Sequence, residues 1–538
     1  MNKRTISKIA LRLVLSLTLL VAVEATSVLA AVDETSQVSK LLNNYYVDSV
    51  SDQVLNAPTI DGMLKNLGDP YTRYFTAQEY QDFINALDQR FTGIGIQLKI
   101  IPEGVSVVSV IKGSPAAEAG MQTGDVIITV DGQALAARPQ AEAVALLRGD
   151  SGTQVRLKIK RGGQIKDLTL TRRKLEEPTV NGKVLEGHMG YVQLNTFGED
   201  TPADFAKVVD NLIDQQVDCW IFDLRDNPGG YLSTAQNLAG YFIGENTTLQ
   251  MKDRSHPVKY LAAVNQGWTF TQPVVFLINE NSASAAEILA AAVKDNHKAT
   301  LIGKTTFGKG VAQSMFVLSS GGRLKMTTNR FYSPEGHEIQ KVGVTPDILT
   351  NKADPLSAAE LLLENNAIGT FEGTSIGVNT GGYNYKVTVA QVIDSKYWGI
   401  WNEVLASVHQ SALRLDRPQG WSTVSEADLQ KRWPLYFPSY DEIGGLANVP
   451  LNKTFKVHFS GPIDWSTINN SSVELINSTT GERSPVYFQA ISAMDLKVIP
   501  QNKLQPETTY WLVIHPTIRD VNQRPIIKGT VTMARTPS

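Results

Sequence analysis

Three short clusters hold the residue types from which a hydrolytic site can be built: Asp223-Leu224-Arg225-Asp226-Asn227-Pro228-Gly229-Gly230, Asn281-Ser282-Ala283-Ser284-Ala285-Ala286-Glu287 and Thr306-Phe307-Gly308-Lys309-Gly310-Val311-Ala312-Gln313. Each sets Gly or small residues at the end of a strand-like run, where backbone amides can approach a ligand closely. Singly, each has a plainer reading: a Ser opening a helix is an N-cap, a Gly-Gly pair is a turn, and a Gly-flanked Lys is solvated. For chemistry, a Ser hydroxyl is a weak nucleophile and needs a partner to take its proton. The seven histidines, at 188, 256, 297, 337, 409, 458 and 515, lie in no hydrolase motif. A Lys serves when it is neutral, and burial of Lys309 beside Phe307 and the Ala-rich segments is expected to lower its pKa from about 10.4 toward roughly 7 to 8. The sequence has no His-Glu-x-x-His cluster and no Walker-type loop, so neither a metal site nor a cofactor is expected.

In this order and spacing the clusters resemble those of the carboxyl-terminal processing, or tail-specific, serine proteases. The resemblance runs from about Val32 to Leu363. It takes in Leu67-Gly68-Asp69-Pro70-Tyr71-Thr72-Arg73-Tyr74 and Ser333-Pro334 followed by Gly343-Val344-Thr345-Pro346-Asp347. It implies Ser284, the second Ser of the Ser-Ala-Ser-Ala pattern, as nucleophile and Lys309 as general base. Gln313 would hold the Lys amine, and Ser282 would be structural. The amides of Ala285 and of the Gly229-Gly230 turn would form the oxyanion hole. Two departures are Ala286, where many relatives carry another Ser, and His337, where an Arg is common. Phe91-Thr92-Gly93-Ile94-Gly95-Ile96 resembles the carboxylate-binding loop of PDZ domains. Gly93, Ile94, Gly95 and Ile96 would then receive a chain-terminal carboxylate, with a peptide adding as a strand beside Ile94 to Leu98. Val144 and Leu147, on a helix from Ala141 to Leu147, would close the groove.

These residues need a large scaffold, and 538 residues allow three or more domains. The expected fold class is multidomain α+β. Residues 1–30 read as a signal peptide: Lys3, Arg4, Lys8 and Arg12 precede an apolar run from Leu13 to Val23, with cleavage after Ala30. An uncleaved anchor stays open, because Glu24 interrupts the approach to that site. Residues 32–87 read as a helical region and 88–175 as a PDZ-like, β-rich module. Residues 176–363 alternate strands and helices as an α/β protease core does. Residues 364–440 are a linker or small domain, with tryptophans at 398, 401, 421 and 433 expected to pack. Residues 441–538 resemble a bacterial Ig-like β-sandwich. Cys219, the only cysteine, reads as a small buried hydrophobe.

Lys plus Arg (50) nearly balance Asp plus Glu (53), so no global field attracts nucleic acid. The expected partners are protein or peptide substrates with free C-termini, met by an exported protein in a bacterial cell envelope or outside the cell. The expected function is a serine endopeptidase with a Ser-Lys dyad, processing exported or envelope proteins near their C-termini. The alternative is a catalytically dead PDZ/Ig-like binding scaffold.

Overall fold

Successive residues of the strand Cys219–Asp223 serve two different cores. Trp220 and Phe222 face helices Leu232–Ile243 and Ala285–Asp295, whereas Cys219 and Ile221 face helix Pro355–Leu363 and the region that follows it. That is the pattern of a mostly parallel sheet covered on both sides. In this computed structural model, which describes residues 34–186, 188–364, 375–417 and 419–538, the sheet has six strands. Val180–Leu185 and Met189–Leu194 form an antiparallel hairpin at one edge; Cys219–Asp223, Val274–Ile278, Thr300–Gly303 and Ile348–Leu349 continue in parallel. Burial pushes the Cys219 thiol up to about 12, so it is the inert hydrophobe the sequence suggests. The expected signal segment, residues 1–30, lies outside the described residues.

A second, five-stranded sheet joins distant parts of the chain. Its long strand Arg323–Tyr332 pairs with Val311–Val317, with Thr247–Lys252 and with the short strand Arg73–Phe75. The helices Glu34–Tyr45, Asp52–Leu55 and Ile60–Leu67 pack on this sheet through Val38, Leu42 and Met63 against Leu324 and Met326. The helical lead-in is thus packed into the body that carries this sheet. Helix Ala77–Leu87 follows, started by a capping box in which Thr76 and Glu79 satisfy each other's backbone amides.

The module expected to be PDZ-like is a sheet whose edge strand Ile96–Ile101 leaves one side unpaired among the described residues, with helix Gln140–Leu147 beside the core. A two-stranded ribbon, Arg90–Gly93 with Arg173–Glu176, ties it to the body. Gly95, at φ 83°, lies so close to Ser114 that a Cβ would stand 2.2 Å from that of Ser114. Any larger residue would open the loop. Ile94 and Leu147 are closed into the module's core at 3% and 4% exposure, while Val144 is half-buried. Of the residues expected to line a groove, Ile94 and Leu147 have side chains that serve packing.

Residues 375–440 are folded. A four-stranded sheet and helix Ser395–Ser407 cover the second face of the six-stranded sheet. Trp398, Trp401 and Trp433 are buried there and Trp421 is exposed. The tail forms a sandwich of a four-stranded and a three-stranded sheet. It does not stand apart: Trp511 and Val513 share one core with Ile376, Trp398 and Tyr436, and the Trp511 ring lies 5.2 Å from that of Tyr436. Trp511→Ala should therefore lower stability by about 3–5 kcal/mol and act on the middle region as well as on the sandwich. Thermal unfolding checks this, the expected result being one lowered transition for both.

Candidate active site

Backbone bonds weld the three sequence clusters together. Ala283 N–H donates to the Asn227 carbonyl (2.9 Å) and Phe307 N–H to the Ser282 carbonyl (3.0 Å). Ser282 is fully buried and its hydroxyl donates to the Leu224 carbonyl (2.8 Å), the structural part expected of it. Upstream, Asp223 is held by Tyr191 Oη (2.7 Å) and by Nε of Arg225 (2.9 Å), which fixes the strand end that leads into the Gly229-Gly230 turn. A Cβ on Gly229, at φ 94°, would lie 2.6 Å from the Ala283 carbonyl oxygen and 2.8 Å from the Ala285 nitrogen. Only glycine lets that turn lie against Ser284.

Ser284 sits at the N-terminus of helix Ala285–Asp295 with φ 57° and ψ −114°, a conformation that costs a non-glycine residue about 1–3 kcal/mol. Glu287 holds it there. This carboxylate has no solvent exposure and accepts from Ser284 N–H (2.8 Å), Thr306 Oγ1 (2.5 Å), Gly308 N–H (2.6 Å) and Lys309 N–H (2.8 Å). One side chain therefore fixes both the Ser turn and the Lys turn. The sequence signal for it is the Ser-x-x-Glu spacing of a helix start; its link to the Lys turn has no sequence signal.

Ser284, Lys309, Gln313, Ala285, Gly229 and Gly230 all line one cavity of about 590 Å³. Helix Ala77–Leu87 forms its apolar wall through Phe83, Ile84 and Leu87. Ser284 Oγ and Lys309 Nζ share this space without a hydrogen bond between them among the described residues. Gln313 donates to the Val311 carbonyl (3.2 Å) and Thr327 Oγ1 (3.3 Å), not to the Lys amine. The Gly229 N–H is committed to Asn227 Oδ1 (2.8 Å), so the expected amide donor in that turn narrows to Gly230. Ala285, first residue of its helix, has an N–H with no partner inside the helix.

Burial, and next to it the charge of Lys325, push the Lys309 amine down to about 8, against the opposing pull of Glu287 and Asp69. The direction agrees with the sequence expectation; the source differs, because Phe307 is exposed at 56%. The cover comes instead from the Leu67–Tyr74 motif. Asp69 accepts from Tyr71 N–H (2.9 Å) and Thr72 Oγ1 (2.6 Å), Thr72 Oγ1 accepts from Thr327 N–H (3.1 Å), and the Tyr71 ring comes to lie 5.2 Å from Lys309 Nζ.

Among the described residues, Asp295, Glu335 and His337 form one group whose ligand atoms lie within 4.8 Å of each other. Asp295 lies at the far end of helix Ala285–Asp295, about 16 Å from Ser284 at 1.5 Å per residue. Asp295 Oδ2 is already taken by Ser333 Oγ (2.5 Å) and Glu335 N–H (2.9 Å). Glu287→Gln keeps the shape but turns two acceptor sites into donors facing N–H groups. The expected result is a folded protein with activity reduced about a hundredfold, read as kcat beside an unchanged circular dichroism spectrum.

Four family models match this chain: peptidase family S41 over residues 188–350, a PDZ domain over 106–161, a bacterial Ig-like domain over 444–534 and the activating protease CtpB N-terminal domain over 21–79. Carboxy-terminal processing protease CtpB of Bacillus subtilis is 33% identical over 62% of this chain and 71% of its own length. CtpA of the same organism is 30% identical over 68% and 79%. A solved photosystem II D1 C-terminal processing protease is 27% identical over 62% of this chain and 94% of its own, with a TM-score of 0.40. With two relatives matched at these identities over more than two thirds of their length, the chain belongs to the carboxy-terminal processing serine proteases of peptidase family S41.

Proposed function

We propose that the protein is an endopeptidase that works through an acyl-enzyme on Ser284, with Lys309 as general base, and trims exported or envelope proteins near their C-termini. The observation that carries this is the shared cavity. A strained Ser at a helix N-terminus and a desolvated Lys open into one space and are fixed to each other through Glu287. In the reaction, neutral Lys309 Nζ takes the Ser284 proton as Oγ attacks the peptide carbonyl. The amides of Ala285 and Gly230 receive the developing oxyanion. The ammonium then returns its proton to the leaving amine, and water, activated by the same amine, releases the acyl group. Gln313, on the strand after Lys309 and lining the same cavity, acts on the base by orientation. The scaffold alternative has no observation in its favour.

The PDZ module supplies the second half of this reading. Its edge strand Ile96–Ile101 offers unpaired main-chain groups, which suits addition of a peptide strand ending in a carboxylate at Gly93–Ile96, and the half-buried Val144 stays available to line the groove. The basic, apolar N-terminus supports export to the envelope, where the Ig-like tail is a placement module.

Ser284→Ala and Lys309→Ala should each abolish casein cleavage while the protein stays folded, and Gln313→Ala should cost less than either. Near wild-type cleavage by the Ser284 or Lys309 variant would refute the assignment. The active form of the base is the unprotonated amine, so kcat/KM should climb about tenfold per pH unit below pH 8 and level off above it. A chelator should leave the rate unchanged. For the PDZ module, full-length Ser284→Ala protein should bind a free-acid peptide roughly tenfold more tightly than the matched amide, by calorimetry; equal affinities would mean that the module does not read chain ends.

A further inference from the structure

The cavity that holds Ser284 and Lys309 contains a second amine, Lys325, on the strand Arg323–Tyr332. It is an unusual place for a lysine. The residue is half-buried, and its Nζ lies 4.9 Å from the ring centroid of Phe83 and 5.9 Å from that of Phe75. No carboxylate pairs with it among the described residues. Its strand position is fixed on both sides, opposite Arg73 on one neighbour and Met315 on the other, so the amine has few places to go but the cavity.

Resting on the reading of Lys309 as the base, we propose that Lys325 is a positioning residue of the reaction: its charge, held inside the same cavity, disfavours the ammonium form of Lys309 and keeps the base ready to accept a proton.

Three elements present charges to Lys309. Glu287 comes from the nucleophile helix and Asp69 from the loop after Ile60–Leu67; both favour the ammonium, as does the face of Tyr71. Lys325 opposes them, and burial works with it. Without Lys325 two carboxylates would face the amine with no cation to answer them. Lys325 is itself lowered, by burial first and then by Arg73, while Asp69 resists. Two ammonium groups in one cavity disfavour each other, so one of the amines gives up its proton more readily. Two phenyl faces support the ammonium of Lys325 against one ring for Lys309, so the first proton lost is that of Lys309. The paired amines thus divide the work: one carries the charge and the other the lone pair.

A plain packing role makes a different forecast. The Lys325 stem lies along Phe75 and Phe83, and Lys325→Met preserves that stem while deleting the charge. The experiment is the pH profile of kcat/KM on fluorescein-labelled casein, from pH 6 to 10, for full-length wild type, Lys325→Met, Lys325→Gln and Lys325→Arg, with Lys309→Ala alongside. Charge loss should move the rising limb upward by about one pH unit in the Met and Gln variants, so that the rate at pH 7 falls about tenfold and recovers at high pH. Lys325→Arg should return the midpoint toward that of wild type. The Gln variant decides the matter if the Met variant does not fold. A rising limb at the wild-type position in the neutral variants, or a loss of rate equal at every pH, overturns the proposal. Activity in Lys309→Ala overturns the base assignment itself and is told apart from failure at Lys325 by that variant alone.

Discussion

The carboxylate of Glu287 has no contact with solvent, and the groups it binds come from both sides of the cavity: the Ser284 amide on one side, and Thr306, Gly308 and Lys309 on the other. Removing it would leave several buried donors unmatched, at about 1–3 kcal/mol each. It does two further things. It holds Ser284 in a backbone conformation that serine does not prefer. It also places a negative charge near Lys309, which burial and Lys325 oppose.

That offset explains why the cavity is walled as it is. A lysine gives up its proton near neutral pH only if burial and like charge outweigh nearby carboxylates. Glu287 and Asp69 pull toward the ammonium, while apolar cover and Lys325 pull the other way. The cover is contributed by segments far apart in the chain. Tyr71 follows the first helices, Phe83, Ile84 and Leu87 come from helix Ala77–Leu87, and Lys325 comes from the long strand of the second sheet. The residues before the PDZ module are therefore part of the chemistry's environment, and their packing on Leu324 and Met326 keeps them in place.

The outer regions obey the same economy of buried faces. The protease sheet is apolar on both sides, and its second face needs a cover beyond helix Pro355–Leu363. Residues 375–440 provide it, and the Ig-like tail extends that core through Trp511. Continuous packing of this kind links the tail mechanically to the sheet that positions Ser284. The PDZ module differs: it has its own core and meets the body through a short ribbon, around which Arg90 pairs with Asp88, Glu176, Glu199 and Asp200.

Much of this was legible in the residues alone. The clusters around Gly229, Ser284 and Lys309 are legible only in combination, each setting Gly and small residues at a strand end, and the alternating or continuous apolar runs mark which segments are half-buried or fully buried strands. The serine protease family follows from the resemblance carried by the order and spacing of those clusters, and the inertness of Cys219 from the apolar run around it. What the chain did not disclose is everything set by long-range approach. Phe307 sits next to Lys309 in sequence yet points to solvent, while Tyr71 and Lys325 are distant in sequence and adjoin it in space. Gly229 and Gly230 look equivalent until Asn227 claims one amide. The tail reads as a separate sandwich until Trp511 is found against Trp398 and Tyr436. The sequence determined which residues can react, because residue type and local backbone preference are properties of neighbours along the chain. Only the tertiary structure decided their protonation, their donors and their shared core, because burial, charge and packing depend on distances that the fold alone sets.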